Sequence, residues 1–220
     1  MSSSTPSPSG PLKLLLVGGT GAVGREVLRL ALADTRIGRV IAPTRRPLPP
    51  HPGLENPVVR ELGTLPEDSR YWRVDAVICT LGTTIKVAGS QKAFAAIDRD
   101  LPVYVARCAR QAGATRFALN SSLGASLGGS FYLRTKAEAE QAIRALAYPS
   151  YTIVRPSLID AHRAEPRFGE TVGLVLAKVF RPAIPRHYRP VKAATIAVAL
   201  LESITDGGPG EQILESEDLG

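Results

Sequence analysis

The chain has 220 residues, 44% hydrophobic and 21% charged, which is enough apolar material for a packed core and excludes wholesale disorder. No apolar run approaches the ~20 residues of a membrane-crossing helix; the densest, Leu14-Leu15-Leu16-Val17, is strand-sized. Lys and Arg outnumber Asp and Glu 27 to 20, a net charge of +7, but aromatic residues make up only 5% and Trp72 is the one Trp, so a base-stacking surface for nucleic acid has little material.

Residues 1–11 are Ser/Pro-rich, with neither the basic segment nor the apolar segment of a secretory leader. They predict a disordered tail ahead of one domain spanning 12–220, in a cytoplasmic protein. A strand over 12–17 meets a glycine turn. Val23, Val27 and Leu30, at i, i+4 and i+7, then mark a helix. A second strand over 39–42 runs into Thr44-Arg45-Arg46, followed by a loop over 47–57 and a short strand over 57–60. The strand at 74–79 leads to Leu81-Gly82-Thr83-Thr84, and helical patterning covers 91–98 and 101–112. Residues 116–120 form a strand ending at Ser121-Ser122. A helix over 131–146 and a strand over 151–155 follow. Strands that alternate with helices, and are apolar throughout, indicate a parallel sheet covered on both faces. The fold class is therefore α/β, a Rossmann-like doubly wound parallel sheet. After Pro156 the rhythm breaks into a basic, Pro-punctuated section with helical patches at 169–180 and 192–203. It is expected as a small extension on the substrate side, with 157–192 as a lid over the ligand edge.

The first strand runs into Gly18-Gly19-Thr20-Gly21-Ala22-Val23-Gly24. Glycines at 18, 21 and 24 permit a tight turn, close approach of backbone to a pyrophosphate, and close packing of helix on strand. The N–H groups of the helix start, around Ala22 and Val23, suit the phosphates. This strand–glycine–helix context indicates a dinucleotide. The second strand ends in Ala42-Pro43-Thr44-Arg45-Arg46, with two guanidiniums where an NAD site carries an acid. Arg45 and Arg46 suit a 2′-phosphate through charge-assisted, bidentate hydrogen bonds, which selects NADP(H).

Tyr132 and Lys136 share a helix face, and Ala139, Ile143 and Leu146 carry that stripe inward. A tyrosine hydroxyl becomes a usable general acid/base when an ammonium stands beside it. Lys136 is also placed to donate to the nicotinamide ribose. A second Tyr-x-x-x-Lys, Tyr188 to Lys192, contains Pro190, which opposes a continuous helix. Ser121 and Ser122 lie at the carboxyl edge of the sheet, where ligands of such folds bind; turn formation or helix capping is their structural alternative. Cys79 and Cys108 read as packed hydrophobes. The scattered His51, His162 and His187 form no metal cluster with them.

These residues together resemble the short-chain dehydrogenase/reductase superfamily in its atypical, extended branch. Within that branch the likeness is to the Tat-interacting-protein type of reductase homologue and its small bacterial relatives, over about 12–203. The glycine loop, Thr44-Arg45-Arg46, the segment Cys79-Thr80-Leu81-Gly82-Thr83-Thr84, Ala88-Gly89-Ser90, Asp98-Arg99-Asp100, Ser121-Ser122-Leu123-Gly124-Ala125, Tyr132 to Lys136 and Arg155-Pro156 carry it. The resemblance implies a Rossmann fold, NADPH and a Ser/Tyr/Lys catalytic set. It puts Leu81 and Gly82 beside the adenosine or ribose, Ile159 near the nicotinamide, and Arg167 on a phosphate. The Ser-to-Tyr spacing is shorter than in most of these reductases, and the chain leaves little room for a large substrate domain.

The expectation is an NADPH-dependent oxidoreductase that reduces a small-molecule carbonyl, with Tyr132 as proton donor. The alternatives are an NADP(H)-binding regulator or scaffold without turnover, and more weakly an NAD(P)-dependent epimerase or dehydratase. A homodimer or a protein partner is compatible with either class. Seven basic residues between Arg163 and Lys192 (163, 167, 178, 181, 186, 189 and 192) are expected as a solvated face or anionic-ligand rim rather than a nucleic-acid site.

Overall fold

The computed structural model describes residues 10–160 and 185–219. Residues 1–9, most of the expected tail, lie outside these, as do the expected helical patch at 169–180 and much of the expected lid.

Strand β1 (Leu12–Val17) is followed by α1 (Ala22–Ala33), β2 (Ile37–Ile41) and the two-residue β3 (Leu54–Glu55). Strand β4 (Ala76–Cys79) leads through the single turn α2 (Ile85–Ala88) to α3 (Gln91–Ala95). A π-helical segment (Ala96–Asp100) joins α3 to α4 (Leu101–Gln111). The remaining elements are β5 (Arg116–Asn120), α5 (Phe131–Arg144), β6 (Ser150–Arg155), the small pair β7 (Ile159–Asp160) and β8 (Val191–Lys192), α6 (Ala193–Thr205) and β9 (Gly210–Glu215).

The main sheet has seven strands in the order β3-β2-β1-β4-β5-β6-β9, and every neighbouring pair is parallel. Alternate residues of one strand serve two cores. Leu14 and Leu16 of β1, with Ile78 and Ala118, pack under α1 and α6. Leu15 and Val17, with Val77, Phe117 and Ile153, pack under α4 and α5. A strand buried on both faces has no polar face to show, so its sequence reads as an unbroken apolar run. On the first face, α1 and α6 pack directly on each other, tied at the rim by an Arg36–Asp206 ion pair.

The Rossmann-like α/β expectation holds, with corrections at four places. The patch expected at 192–203 is α6, but it lies under the sheet as core rather than over the ligand edge, because Ile196, Ala197, Leu200 and Ile204 form its buried stripe. Residues 57–60 form no strand; Val58 makes one isolated bridge to Thr44, and the strand lies earlier, at β3. The helical stretches around 91–98 and 101–112 join through the π segment into one continuous helix. A final strand, β9, pairs with β6 along its length.

Candidate active site

The strand order reverses between β1 and β4, and sheets of this kind bind ligands outside the carboxyl ends of the strands at that point. Both loops there are built for close approach. Gly18 has φ +86°, and a Cβ on it would lie 2.6 Å from the Thr80 carbonyl carbon. A Cβ on Gly24 would lie 2.1 Å from the Gly18 carbonyl oxygen and 2.7 Å from Thr80 Oγ1. The turn closes through Gly21 N–H donating to Gly18 O at 2.9 Å. Helix α1 begins at an N-cap glycine, Gly21, with no capping side chain and no acid in its first turn. Its first N–H groups are therefore left for a ligand. Thr20 and Gly21 are exposed, whereas Val23 and Gly24 are buried. This cradle fits the pyrophosphate of a dinucleotide.

Arg45 and Arg46 are exposed at the end of β2, and neither pairs with a carboxylate among the described residues. Their turn is pinned from beneath by Asn56, a residue the sequence reading did not single out. Asn56 Nδ2 donates to Ala42 O (2.5 Å) and Thr44 Oγ1 (2.8 Å), and Asn56 Oδ1 accepts from Leu48 N–H (2.8 Å). Thr44 Oγ1 donates in turn to Arg46 O at 2.6 Å. An Asn in a Pro-rich loop after a strand end is the signal that pointed there.

Ser130 caps α5, its hydroxyl accepting from Leu133 N–H at 3.4 Å. Tyr132, in the first turn, is half-buried and lies against the buried Phe94 ring, with centroids 5.4 Å apart. One turn on, Lys136 is buried, with Nζ 2.6 Å from Asp98 Oδ1. Burial pulls the Lys136 pKa down, but the Asp98 carboxylate, with a further contribution from Tyr132, outweighs it and holds the ammonium above its ordinary value. Asp98 Oδ2 accepts the Thr83 N–H at 2.9 Å. The backbone of Gly82 covers the pair, since a Cβ there would lie 3.6 Å from Asp98 Oδ1 and 3.8 Å from Lys136 Nζ. Leu81 packs into the core under α4 and α5. The sequence placed Asp98 in a shared motif without a role. Its signal was an acid on a buried helical stripe, between Phe94 and Val105.

The two serines part company. Ser121 is buried, and its hydroxyl donates to Glu140 Oε1 at 2.5 Å. Glu140 also takes Arg155 through Nε (3.1 Å) and Nη2 (2.6 Å), and Arg155 Nη1 reaches Glu215 at 2.9 Å. Ser121 therefore belongs to a buried network tying α5, β6 and β9. Ser122 is half-buried, with only a long 3.4 Å contact to Leu123 O. Ile159 lies in β7, beyond the carboxyl end of β6, and pairs with Val191. Arg167 lies outside the described residues, as do residues 163, 178 and 181 of the basic stretch. Cys79, at the end of β4, is fully buried, and burial pushes its thiol up to about 12. The second Tyr/Lys match falls on a short 3-10 turn and on β8, with no helix between the two side chains.

A sequence model of the NAD(P)H-binding family matches residues 18–204. Among curated proteins, the chain is 31% identical over 187 residues to "Protein fmp52, mitochondrial" of Emericella nidulans, covering 80% of this chain and 78% of that one. It is 29% identical over 215 residues to "Protein HTATIP2" of Rattus norvegicus, covering 94% and 87%. Among solved structures, MoeE5 in complex with UDP-glucuronic acid and NAD superposes with a TM-score of 0.69 at 17% identity, covering 92% of this chain and 75% of that one. A short-chain dehydrogenase/reductase superfamily protein from Agrobacterium tumefaciens with bound NAD gives 0.63 at 18% identity, covering 92% and 77%. The mitochondrial names of the fungal relatives overturn the cytoplasmic expectation. That expectation rested on the lack of a secretory leader and of a membrane-length apolar run, which separates secreted and membrane proteins from the rest and says nothing about organelles.

Proposed function

Since the chain belongs to the NAD(P)H-binding family, with the fold of short-chain dehydrogenases/reductases, we propose that it is an NADPH-dependent oxidoreductase that reduces a small-molecule carbonyl to an alcohol. The observation that carries this reading is the Tyr132/Lys136 pair on the first turns of α5, at the edge of the sheet that also presents the glycine cradle. In this reading the α1 N-terminus and the glycine turn bind the pyrophosphate, and Arg45 and Arg46 bind the 2′-phosphate. Leu81 and Gly82 flank the adenosine or ribose, and Ile159 backs the nicotinamide. When bound, NADPH supplies the hydride for the carbonyl carbon. Tyr132 gives its hydroxyl proton to the carbonyl oxygen and is reprotonated from solvent. Lys136 stabilises the transient phenolate and donates to the nicotinamide ribose. Ser122, whose hydroxyl is not committed to a buried acceptor, orients the carbonyl, while Ser121 stays in its network with Glu140.

Calorimetry with NADPH and NADH, on the parent protein and on an Arg45→Ala/Arg46→Ala variant, tests the cofactor. The expected result is micromolar or tighter binding of NADPH, weaker binding of NADH, and loss of that difference in the variant. Equal affinity for both nucleotides in the parent would refute the 2′-phosphate assignment. Tyr132→Phe tests the chemistry: consumption of NADPH with a responsive carbonyl should fall below detection while NADPH affinity stays within about twofold, because only the proton donor is lost. Retained turnover would sink the role of Tyr132. Binding of NADPH without consumption across a broad carbonyl panel would favour a regulatory, non-catalytic protein.

A further inference from the structure

Asp98 has a side chain with no solvent exposure, in the middle of a helical rod. Desolvating a carboxylate costs several kcal/mol even after relaxation, so a buried one persists only where matched. Its two partners, Lys136 Nζ and Thr83 N–H, both belong to the ligand edge of the sheet rather than to the hydrophobic core. The backbone around it is unusual as well. Asp98 is the central residue of the five-residue π segment, a wide turn that shifts the helix face by one residue and occurs mostly at functional sites.

The ion pair has an informative geometry. Lys136 Nζ stands 2.6 Å from Asp98 Oδ1, in an ion pair whose two side chains are 8% and 0% exposed. The carboxylate therefore fixes where the ammonium sits, and because an ammonium carries three N–H donors, others are left to be donated elsewhere. The groups that act on Lys136 are Asp98 from the π segment, Tyr132 from its own helix and Cys79 from β4. The Cys79 thiol is held protonated by burial. With Gly82 as its cover, the pair lies directly beneath the loop that follows β4.

We infer that Asp98 is the positioning residue of this site: it holds the Lys136 ammonium charged and in place for the ribose hydroxyls of the nicotinamide half. This rests on the cofactor reading above. Asp98→Asn in the full chain preserves shape and can still accept from Thr83 N–H, while removing the charge. Calorimetry should use two probes, NADPH and 2′,5′-ADP, the second carrying only the adenosine half. The expected result is about tenfold weaker NADPH binding, the scale of one charge-assisted hydrogen bond, with 2′,5′-ADP affinity within twofold of the parent. Unchanged NADPH affinity would overturn the inference. Equal weakening of both probes would also overturn it, since that is what a merely structural Asp98 does. If the parent prefers NADH, the pair becomes NADH and 5′-ADP. A second readout needs no nucleotide: the Nζ resonance of Lys136 should titrate above the ordinary lysine range in the parent and at lower pH in Asp98→Asn. Identical titrations would refute Asp98's hold on Lys136, whatever becomes of the cofactor assignment.

Discussion

Gly24 has the tightest glycine environment at the candidate site, and its constraint is steric rather than conformational. A methyl group there would collide with the Gly18 carbonyl oxygen and with Thr80 Oγ1, so α1 would have to lift off the end of β4. Gly24→Ala is expected to cost about 1–3 kcal/mol, the range for overpacking a closed site. It should also abolish nucleotide binding, as read by urea melts and calorimetry. Cys79 makes a different prediction. Its folded pKa of about 12 is raised above the unfolded value, which is ~8.5. Its contribution to stability is therefore complete below pH ~8.5 and is lost as pH rises from there towards the folded value. Urea melts between pH 9 and 10 should show a fall in stability that is shallower in Cys79→Ala. An aromatic disulfide reagent should label Cys79 only on unfolding. The glycine turn at 18, 21 and 24 and the placing of Tyr132 and Lys136 on one helix were legible at this scale, because each is local in sequence. The partners of Asp98 and Glu140 were not, since an acid on a buried stripe does not say which distant cation answers it.

Elements were legible in proportion to how many of their residues face a core. The apolar runs of β1 and β5 gave their exact bounds, and α5 was placed to within two residues. The π segment hid because one extra residue per turn offsets the helical period, so a continuous rod reads as two helices. Strand β9 hid because Gly210, Glu211, Gln212 and Ile213 are all exposed. A charged edge strand lacks the apolar pattern of an interior one and is protected by that charge from pairing with other chains. Elements are also joined by charge. Glu140 of α5 is 2% exposed and holds Arg155 of β6, which reaches Glu215 at the end of β9. Glu140→Ala should cost about 3 kcal/mol, because it leaves Nε and Nη2 of a largely buried guanidinium unpaired while Nη1 keeps Glu215. It should also free the Ser121 hydroxyl without a large effect on 2′,5′-ADP binding. A loss below about 1 kcal/mol in denaturant melts would contradict this account.

At the scale of the molecule, the sheet is completed from the far end of the chain. Cutting after Gly208 removes β9, the partner of all six residues of β6, together with the Arg144–Glu211 and Arg155–Glu215 pairs. A drop in melting temperature of about 10 °C or more is expected, the shift that a loss of several kcal/mol gives in a domain of this size. The packing of α1 on α6 extends the point to folding. Helix α1 finds its cover only when a helix some 170 residues later has been made. Until then Leu14, Leu16, Val23 and Val27 face water or a chaperone. Early β1 and α1 can form their turn but cannot bury it, so the site's oldest piece in synthesis is among the last to become stable. Ribosome-bound intermediates halted before residue 193 carry one half of the core open to aggregation.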